Sequence, residues 1–254
     1  MLTRIFSAIP YFKVLSGIFI GDCCGSPYEG RTVTGNKIGS YTDDTEQALG
    51  IVLWLKGGKI TLEGLRDNLK TVYSGRKRGY GAGQADFLEG KPHRTDSFGN
   101  GASMRVAPVG VYGKNPKQVI QLATLQSQLT HNHPDAIAGA VTIALATHLI
   151  YHEQSLDQLS KLYPGALLPQ KGKDYVCSLQ AIESVPPALE AYMSGNSFQD
   201  TLERALAFGN DTDTIAAMAC ALAAVRYGVP KSLMKKVRDA HPDNLLMYKK
   251  IIKL

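Results

Sequence analysis

Two stretches of this chain constrain its fold more than any others. Residues 135–151 and 214–227 are built almost entirely of alanine and other small or apolar residues, with apolar side chains on every side of a helix. A helix that is apolar all round must be covered by neighbours on all sides. Both stretches therefore read as central helices, and 214–227 is closed by Gly228 and Pro230. Around them the spacing is amphipathic. Residues 45–56 carry Ala48, Leu49, Ile51, Val52 and Leu55 at helical intervals, and 61–74 carry Leu62, Leu65, Leu69 and Val72. Helices are also expected over 13–21, over 116–129 with Pro116 in the first turn, and over 197–208 behind a Ser197 cap. One more is expected over 175–193, where Pro186-Pro187 must start a new turn or kink the helix. No alternating β-branched runs flank a tight turn, and there is no repeat or low-complexity linker. The expectation is an all-α fold, one compact multi-helix domain over 1–254. With 254 residues and 44% hydrophobic content, such a chain buries a large core without disulfides. Loops fall at 25–41, 75–100 and 163–173; the first two are long, and long loops are more often functional than idle.

Cys23, Cys24, Cys177 and Cys220 form no Cys-x-x-Cys pair and read as reduced thiols, some of them in the core. The start, Met1 to Phe6, lacks a long apolar leader, and no run approaches the span of a bilayer. The expectation is a soluble, cytoplasmic protein without a membrane partner. The net charge of +6 is concentrated after Pro230, where seven Lys and Arg face only Asp239 and Asp243. This basic C-terminal segment reads as the solvated side of terminal helices with an apolar face of Leu233, Val237, Leu245, Leu246, Ile251 and Ile252. No aromatic–basic interleaving accompanies it, so nucleic acid is not indicated.

Chemistry concentrates in two acid clusters. Thr42-Asp43-Asp44-Thr45 precedes one helix and Asp211-Thr212-Asp213-Thr214 precedes the most apolar one. Either cluster alone reads as an N-cap with acids stabilised by the helix dipole. Together they offer more oxygens than caps require. Four carboxylates gathered at a buried helix start would repel one another without a cation. Hard oxygen ligands without His or Cys select Mg²⁺ or Mn²⁺, and a dinuclear site is the simplest use of both clusters. Three further segments stand out. Ser97-Phe98-Gly99-Asn100-Gly101-Ala102-Ser103-Met104-Arg105 is a glycine-flanked turn before a helical segment, suited to an anionic ligand or to a plain turn. Thr130-His131-Asn132-His133-Pro134 precedes an apolar helix, where a capping or core histidine is commoner than a ligand. Gly21-Asp22 through Gly30 reads as a helix end and a loop carrying one acid, Glu29.

Taken in order, Gly-Asp-x-x-Gly-x-Pro-x-Glu, Thr-Asp-Asp-Thr, Gly-Asn-Gly-x-x-Met-Arg, Thr-His-x-x-Pro and Asp-Thr-Asp-Thr resemble the motifs of the ADP-ribosylglycohydrolases. They run from Gly21 to Thr214, most of the chain. The resemblance implies an all-α metal-dependent hydrolase with two Mg²⁺ or Mn²⁺ ions. It acts on an ADP-ribosylated macromolecule or another ADP-ribose conjugate and leaves ADP-ribose as product. It implies Thr42, Asp43, Asp44, Asp211, Asp213 and Thr214 as metal ligands. Glu29, on a mobile loop, takes part in catalysis beside Asp43 and Asp44. Ser97, Phe98, Gly99, Asn100 and Gly101 surround the adenosine and diphosphate, with Met104 and His131 as further substrate contacts; His133 is not carried over. Gly209-Asn210 departs from the family's Gly-Gly. Ser97 stands where arginine-directed members carry an Asp, as in a serine-directed member, which favours an O-linked acceptor; Asp96 is one residue back. A metal-dependent phosphohydrolase and a non-catalytic, crystallin-like ADP-ribose binder are the alternatives.

Overall fold

The computed structural model describes residues 2–31 and 33–254, with side chains from Pro10 onward. Among them no strand forms, and the chain winds into fourteen α-helices. These are α1 Leu2–Gly25, α2 Asp43–Lys56, α3 Leu62–Val72, α4 Ala82–Leu88, α5 Gly101–Met104, α6 Ala107–Tyr112, α7 Pro116–Gln128, α8 Pro134–Tyr151, α9 Leu159–Leu162, α10 Ala181–Ser194, α11 Phe198–Ala207, α12 Thr212–Tyr227, α13 Lys231–Ala240 and α14 Pro242–Ile251.

The two all-apolar stretches are the central helices, α12 and α8. Every residue of α12 from Thr212 to Ala224 is buried, and α1, α8, α10 and α11 pack around it. Helix α1 lies antiparallel along α12 with the backbones nearly touching. Gly17, Gly21 and Gly25, four residues apart, share one face of α1. A Cβ at Gly17 would collide with the Cys220 carbonyl, one at Gly21 with the Ala216 carbonyl, and one at Gly25 with the Asp213 backbone. Any side chain on this face would push the helices apart. Close approach brings the end of α1, with Asp22, against the start of α12, with Asp213.

Helix α8 corrects the sequence reading on one point. Its 18 residues, at mean hydropathy 1.3, are long and apolar enough to cross a membrane, yet 78% of that window is buried inside the protein. It is covered by α5, α6, α7, α10 and α12. The start at Met1 lies outside the described residues.

Four further expectations change. Residues 175–180 are not helical. They lie beside the glycine turn, where Asn100 N–H donates to Leu179 O (2.9 Å) and Ala181 N–H to Phe98 O (3.2 Å). Backbone partners across the cleft replace those a helix would supply, and Cys177 sits at φ 54°. Helix α10 then runs unbroken through Pro186 and Pro187. The 75–100 loop contains α4, and the 25–41 loop opens with a 3₁₀ turn, Ser26–Tyr28. In α13 and α14 the buried face is Met234, Val237, Asn244, Met247 and Ile251. Leu246 and Ile252 are more than half exposed (57% and 51%). Packing here turns on Asn244, which accepts from Tyr41 N–H (3.1 Å) and donates to Gly39 O (3.0 Å) and Val237 O (2.9 Å). An apolar residue could not hold the segment that leads into α2 in this way. All four cysteines are buried free thiols.

Candidate active site

The starts of α2, α8 and α12 converge on one cleft of about 680 Å³, so three positive dipole ends face it. Both acid clusters line this cleft, but they are built differently. Thr42 caps α2 and accepts from Asp44 N–H (3.4 Å). Asp22 caps the same helix from outside, accepting from Thr42 N–H (2.9 Å), Thr45 N–H (3.2 Å) and the Thr45 hydroxyl (2.5 Å). Asp44 N–H and Thr45 N–H, in the first turn of α2, are thus satisfied by groups other than Asp43 and Asp44. Gln47 Nε2 donates to Asp43 Oδ2 (2.7 Å).

Asp211 occupies the N-cap position of α12, but its side chain makes no capping bond. Its Oδ2 accepts instead from Asn100 Nδ2, which also donates to the Ser184 hydroxyl (3.1 Å). The residue before it, Asn210, sits at φ 55° and donates to Val176 O (2.7 Å). Left-handed backbone accepts Asn nearly as it accepts Gly, which explains Asn in place of the family's second glycine. The two clusters meet at Asp44. Its Oδ2 accepts from the hydroxyls of Thr42 and Thr214, both at 3.2 Å.

The floor of the cleft is strongly electronegative and shielded. Asp43, Asp44, Asp211 and Asp213 are each at most 8% exposed. Burial pushes all four carboxyls above the usual carboxylate range. Like charge adds to this, from Asp213 on Asp44 and from Asp211 on Asp213. Asp22, fully buried, is raised by burial to about 6, against the pull of its bonds to Thr42 and Thr45. Asp44 Oδ1 is buried with no hydrogen-bond partner. One oxygen each from Glu29, Asp211 and Asp213 lie within 4.8 Å of one another, with no His or Cys among them. An orphaned carboxylate oxygen beside an all-oxygen cluster fits a hard divalent cation. Asp43 and Asp44 stand outside that tight triplet, whereas exposed Glu29 belongs to it.

The remaining cleft residues divide by depth. Asn100, Met104 and His131 are buried, while Ser97 and Phe98 are exposed (Phe98 51%). Ser97 Oγ accepts from Gly99 N–H (3.2 Å). Asn100 turns its side chain toward Asp211, so in this structure it braces the acid cluster. Helix α5 behind Gly101 has only four residues, too short to offer the helix-start phosphate site expected from sequence. His131 is held neutral, its pKa lowered to about 3 by burial and by Arg105. His133 caps α8, accepting from Asp135 N–H (3.2 Å), and its ring meets Phe98 edge-on with centroids 5.9 Å apart.

Two contributors escaped the sequence reading. Asp22 is a cap donated across 20 residues, and only the Gly-Asp ending of α1 hinted at it. Arg105, fully buried, ties Gln47, Gln126 and Thr130 together behind the site; its place at the end of the Gly-Asn-Gly-x-x-Met-Arg run was the only signal.

Known proteins are similar to this chain over nearly its whole length. The bovine (Bos taurus) ADP-ribosylhydrolase ARH3 is 28% identical over 91% of this chain and 89% of its own. The ADP-ribosyl-[dinitrogen reductase] glycohydrolase of Rhodospirillum rubrum is 25% identical over 84% of each. A solved structure described as an ADP-ribosylglycohydrolase-related protein complex shares the fold, with TM-score 0.70 and 22% identity over 95% of this chain and 98% of its own. The family model for ADP-ribosylglycohydrolase matches residues 11–252, so the chain belongs to the ADP-ribosylglycohydrolase family of hydrolases.

Proposed function

We propose that this protein hydrolyses the glycosidic bond between ADP-ribose and an acceptor, with two Mg²⁺ or Mn²⁺ ions and with O-linked acceptors favoured. The observation that carries the reading is the joining of both acid clusters at the floor of one cleft. There Asp44 Oδ1 has no partner and Glu29, Asp211 and Asp213 share a 4.8 Å cluster. Thr42, Asp43, Asp44, Asp211, Asp213 and Thr214 would hold the ions, Glu29 being close enough to join them. When bound, the ions supply neutralising charge and Lewis-acid hold on the ribose hydroxyls.

The chain's own groups do the rest. A cleft of about 680 Å³ is in the usual range for a small-molecule site. Exposed Phe98 offers adenine a stacking face. Gly99 and Gly101 let backbone come close to the diphosphate, and His131 lines the same wall. As the bond to the anomeric carbon breaks, positive charge develops on the ribose ring, and the buried carboxylates of the floor stabilise it. A Glu29 oxygen takes the proton of the attacking water, and the departing acceptor atom takes a proton from solvent.

Product analysis on mono-ADP-ribosylated Arg, Ser and nucleic-acid ends and on O-acetyl-ADP-ribose, with Mg²⁺ and with Mn²⁺, tests the reading. Free ADP-ribose is expected. A cleaved diphosphate would mark a phosphohydrolase instead, and no product a binding protein.

A further inference from the structure

Arg105 is fully buried, and its guanidinium meets no carboxylate. All its recorded partners are neutral oxygens. Nε donates to Gln126 Oε1 (2.8 Å), Nη1 to Gln47 Oε1 (2.7 Å), and Nη2 to Gln126 O (3.0 Å) and the Thr130 hydroxyl (3.1 Å). A buried cation without an acid is costly to keep, so these four bonds call for an explanation.

Guanidinium donates and never accepts. Each partner must therefore turn an oxygen toward it and its own hydrogens elsewhere. Gln47 gives Arg105 its carbonyl oxygen, which leaves its amide to donate to Asp43 Oδ2 (2.7 Å). Thr130 receives a hydrogen from Arg105 and must send its hydroxyl hydrogen onward. Its one other recorded partner is His131 Nδ1 at 2.7 Å. A hydrogen on Nδ1 would leave that buried hydroxyl hydrogen without an acceptor, at a real free-energy cost. The ring is neutral, so it carries one hydrogen, and Nε2 has it. Nε2 turns toward Gly99 and Gly101 of the cleft wall: a Cβ added at Gly101 would come within 2.8 Å of it and one added at Gly99 within 3.7 Å. It makes no hydrogen bond to the protein among the described residues.

We propose that Arg105 is a positioning residue that acts through Thr130. As a buried donor it fixes the direction of the Arg105–Thr130–His131 relay, so that His131 presents an Nε2–H donor to an acceptor oxygen of the ligand. That ligand is a nucleoside diphosphate sugar, on the reading of the cleft given above. The same arginine, through Gln47, aims an amide hydrogen at Asp43.

Nitrogen-15 spectra of histidine-labelled protein, with His131 assigned through His131→Gln, read the ring directly. The wild type is expected to show a hydrogen on Nε2 and a bare Nδ1. Thr130→Val removes the hydroxyl at nearly constant volume and should give a mixed ring. It should also weaken ADP-ribose binding by about three- to tenfold, one neutral hydrogen bond. Thr130→Ser should restore both, and Arg105→Met should mix the ring as Thr130→Val does. Where Arg105→Met does not fold, the Thr130 pair decides. A wild-type ring with its hydrogen on Nδ1, or a Thr130→Val ring identical to wild type, overturns the proposal. Failure of the wild type to bind ADP-ribose would instead remove the functional reading, and the ring spectra would still decide the relay.

Discussion

Asp43, Asp44, Asp211 and Asp213 are buried at the floor of the cleft, whereas Glu29, Ser97 and Phe98 stand exposed at its rim. The floor is fixed several times over. Its acids sit at the starts of two long helices, α2 and α12, which a glycine face on α1 draws together. Asp22, Gln47, Asn100 and Thr214 hold them by hydrogen bonds. The rim is exposed and irregular, held by a 3₁₀ turn, by backbone bonds such as Gly30 N–H to Asn210 O (2.8 Å), and by local side-chain bonds such as the Tyr28 hydroxyl to Gly35 O (2.7 Å). The contrast teaches how labour is divided: a preformed floor gathers charge at a cost in stability, and an exposed rim offers the groups that solvent and ligands meet first. Floor substitutions should then change stability and ion binding, and rim substitutions turnover, affinity or choice of substrate.

The sharpest test is at Glu29, an exposed group that nonetheless approaches Asp211 and Asp213. If it acts as a rim residue, Glu29→Gln should lose about 10²–10⁴-fold in kcat and keep full stabilisation by divalent ions and ADP-ribose. Loss of ion stabilisation together with rate would move Glu29 to the floor. Next in size is the floor itself. A divalent ion at a hundredfold excess over its Kd should stabilise the protein by about 2.7 kcal/mol. Thermal melts of Asp43→Ala and Asp213→Ala should show no such gain. Full gain in both variants would mean that the acids hold no ion.

At the rim, Phe98→Ala should weaken ADP-ribose binding by about 1–3 kcal/mol if adenine stacks on that ring, with the ion-dependent shift in Tm intact. Calorimetry giving equal affinities would take Phe98 out of the site. His133 packs edge-to-face against the ring, and Phe98 remains 51% exposed.

The all-α fold and the floor were legible from sequence for a local reason. All-apolar helices can only be central, and the acids stand beside the helix starts that position them. What was hidden acts across long separations. Asp22 caps α2 from another helix, and beyond the Gly-Asp pair nothing near residue 22 announces that. Arg105 reaches Gln47 and Gln126 through the folded core. Residues 175–180 carry helical spacing, yet backbone pairing with residues 98–100 overrides it. In α13 and α14 the expected apolar face includes Leu245, Leu246 and Ile252, but α14 turns Asn244, Met247 and Ile251 inward. Periodicity locates a face; partners beyond the helix decide which residues fill it.

The smallest expected effect is the choice of linkage, and it too is set at the rim. A carboxylate at this place would grip an arginine acceptor's guanidinium bidentately. Residue 97 is Ser, and the neighbouring acid is already engaged. Asp96 takes both ends of Arg94, Nε to Oδ1 at 2.9 Å and Nη2 to Oδ2 at 2.6 Å, and Arg94 holds its carboxyl below the usual range. An arginine-linked substrate would have to displace Arg94 and approach with like charge, while a neutral oxygen acceptor loses nothing. The expected outcome is a severalfold higher kcat/KM on serine-linked than on arginine-linked ADP-ribose. Because the Arg94–Asp96 pair is exposed, the penalty is modest and should fall as salt rises. Arg94→Ala frees Asp96 and should narrow the gap by improving turnover of the arginine form alone. A wild-type preference for arginine that Asp96→Asn removes would show that Asp96, and not Ser97, reads the acceptor.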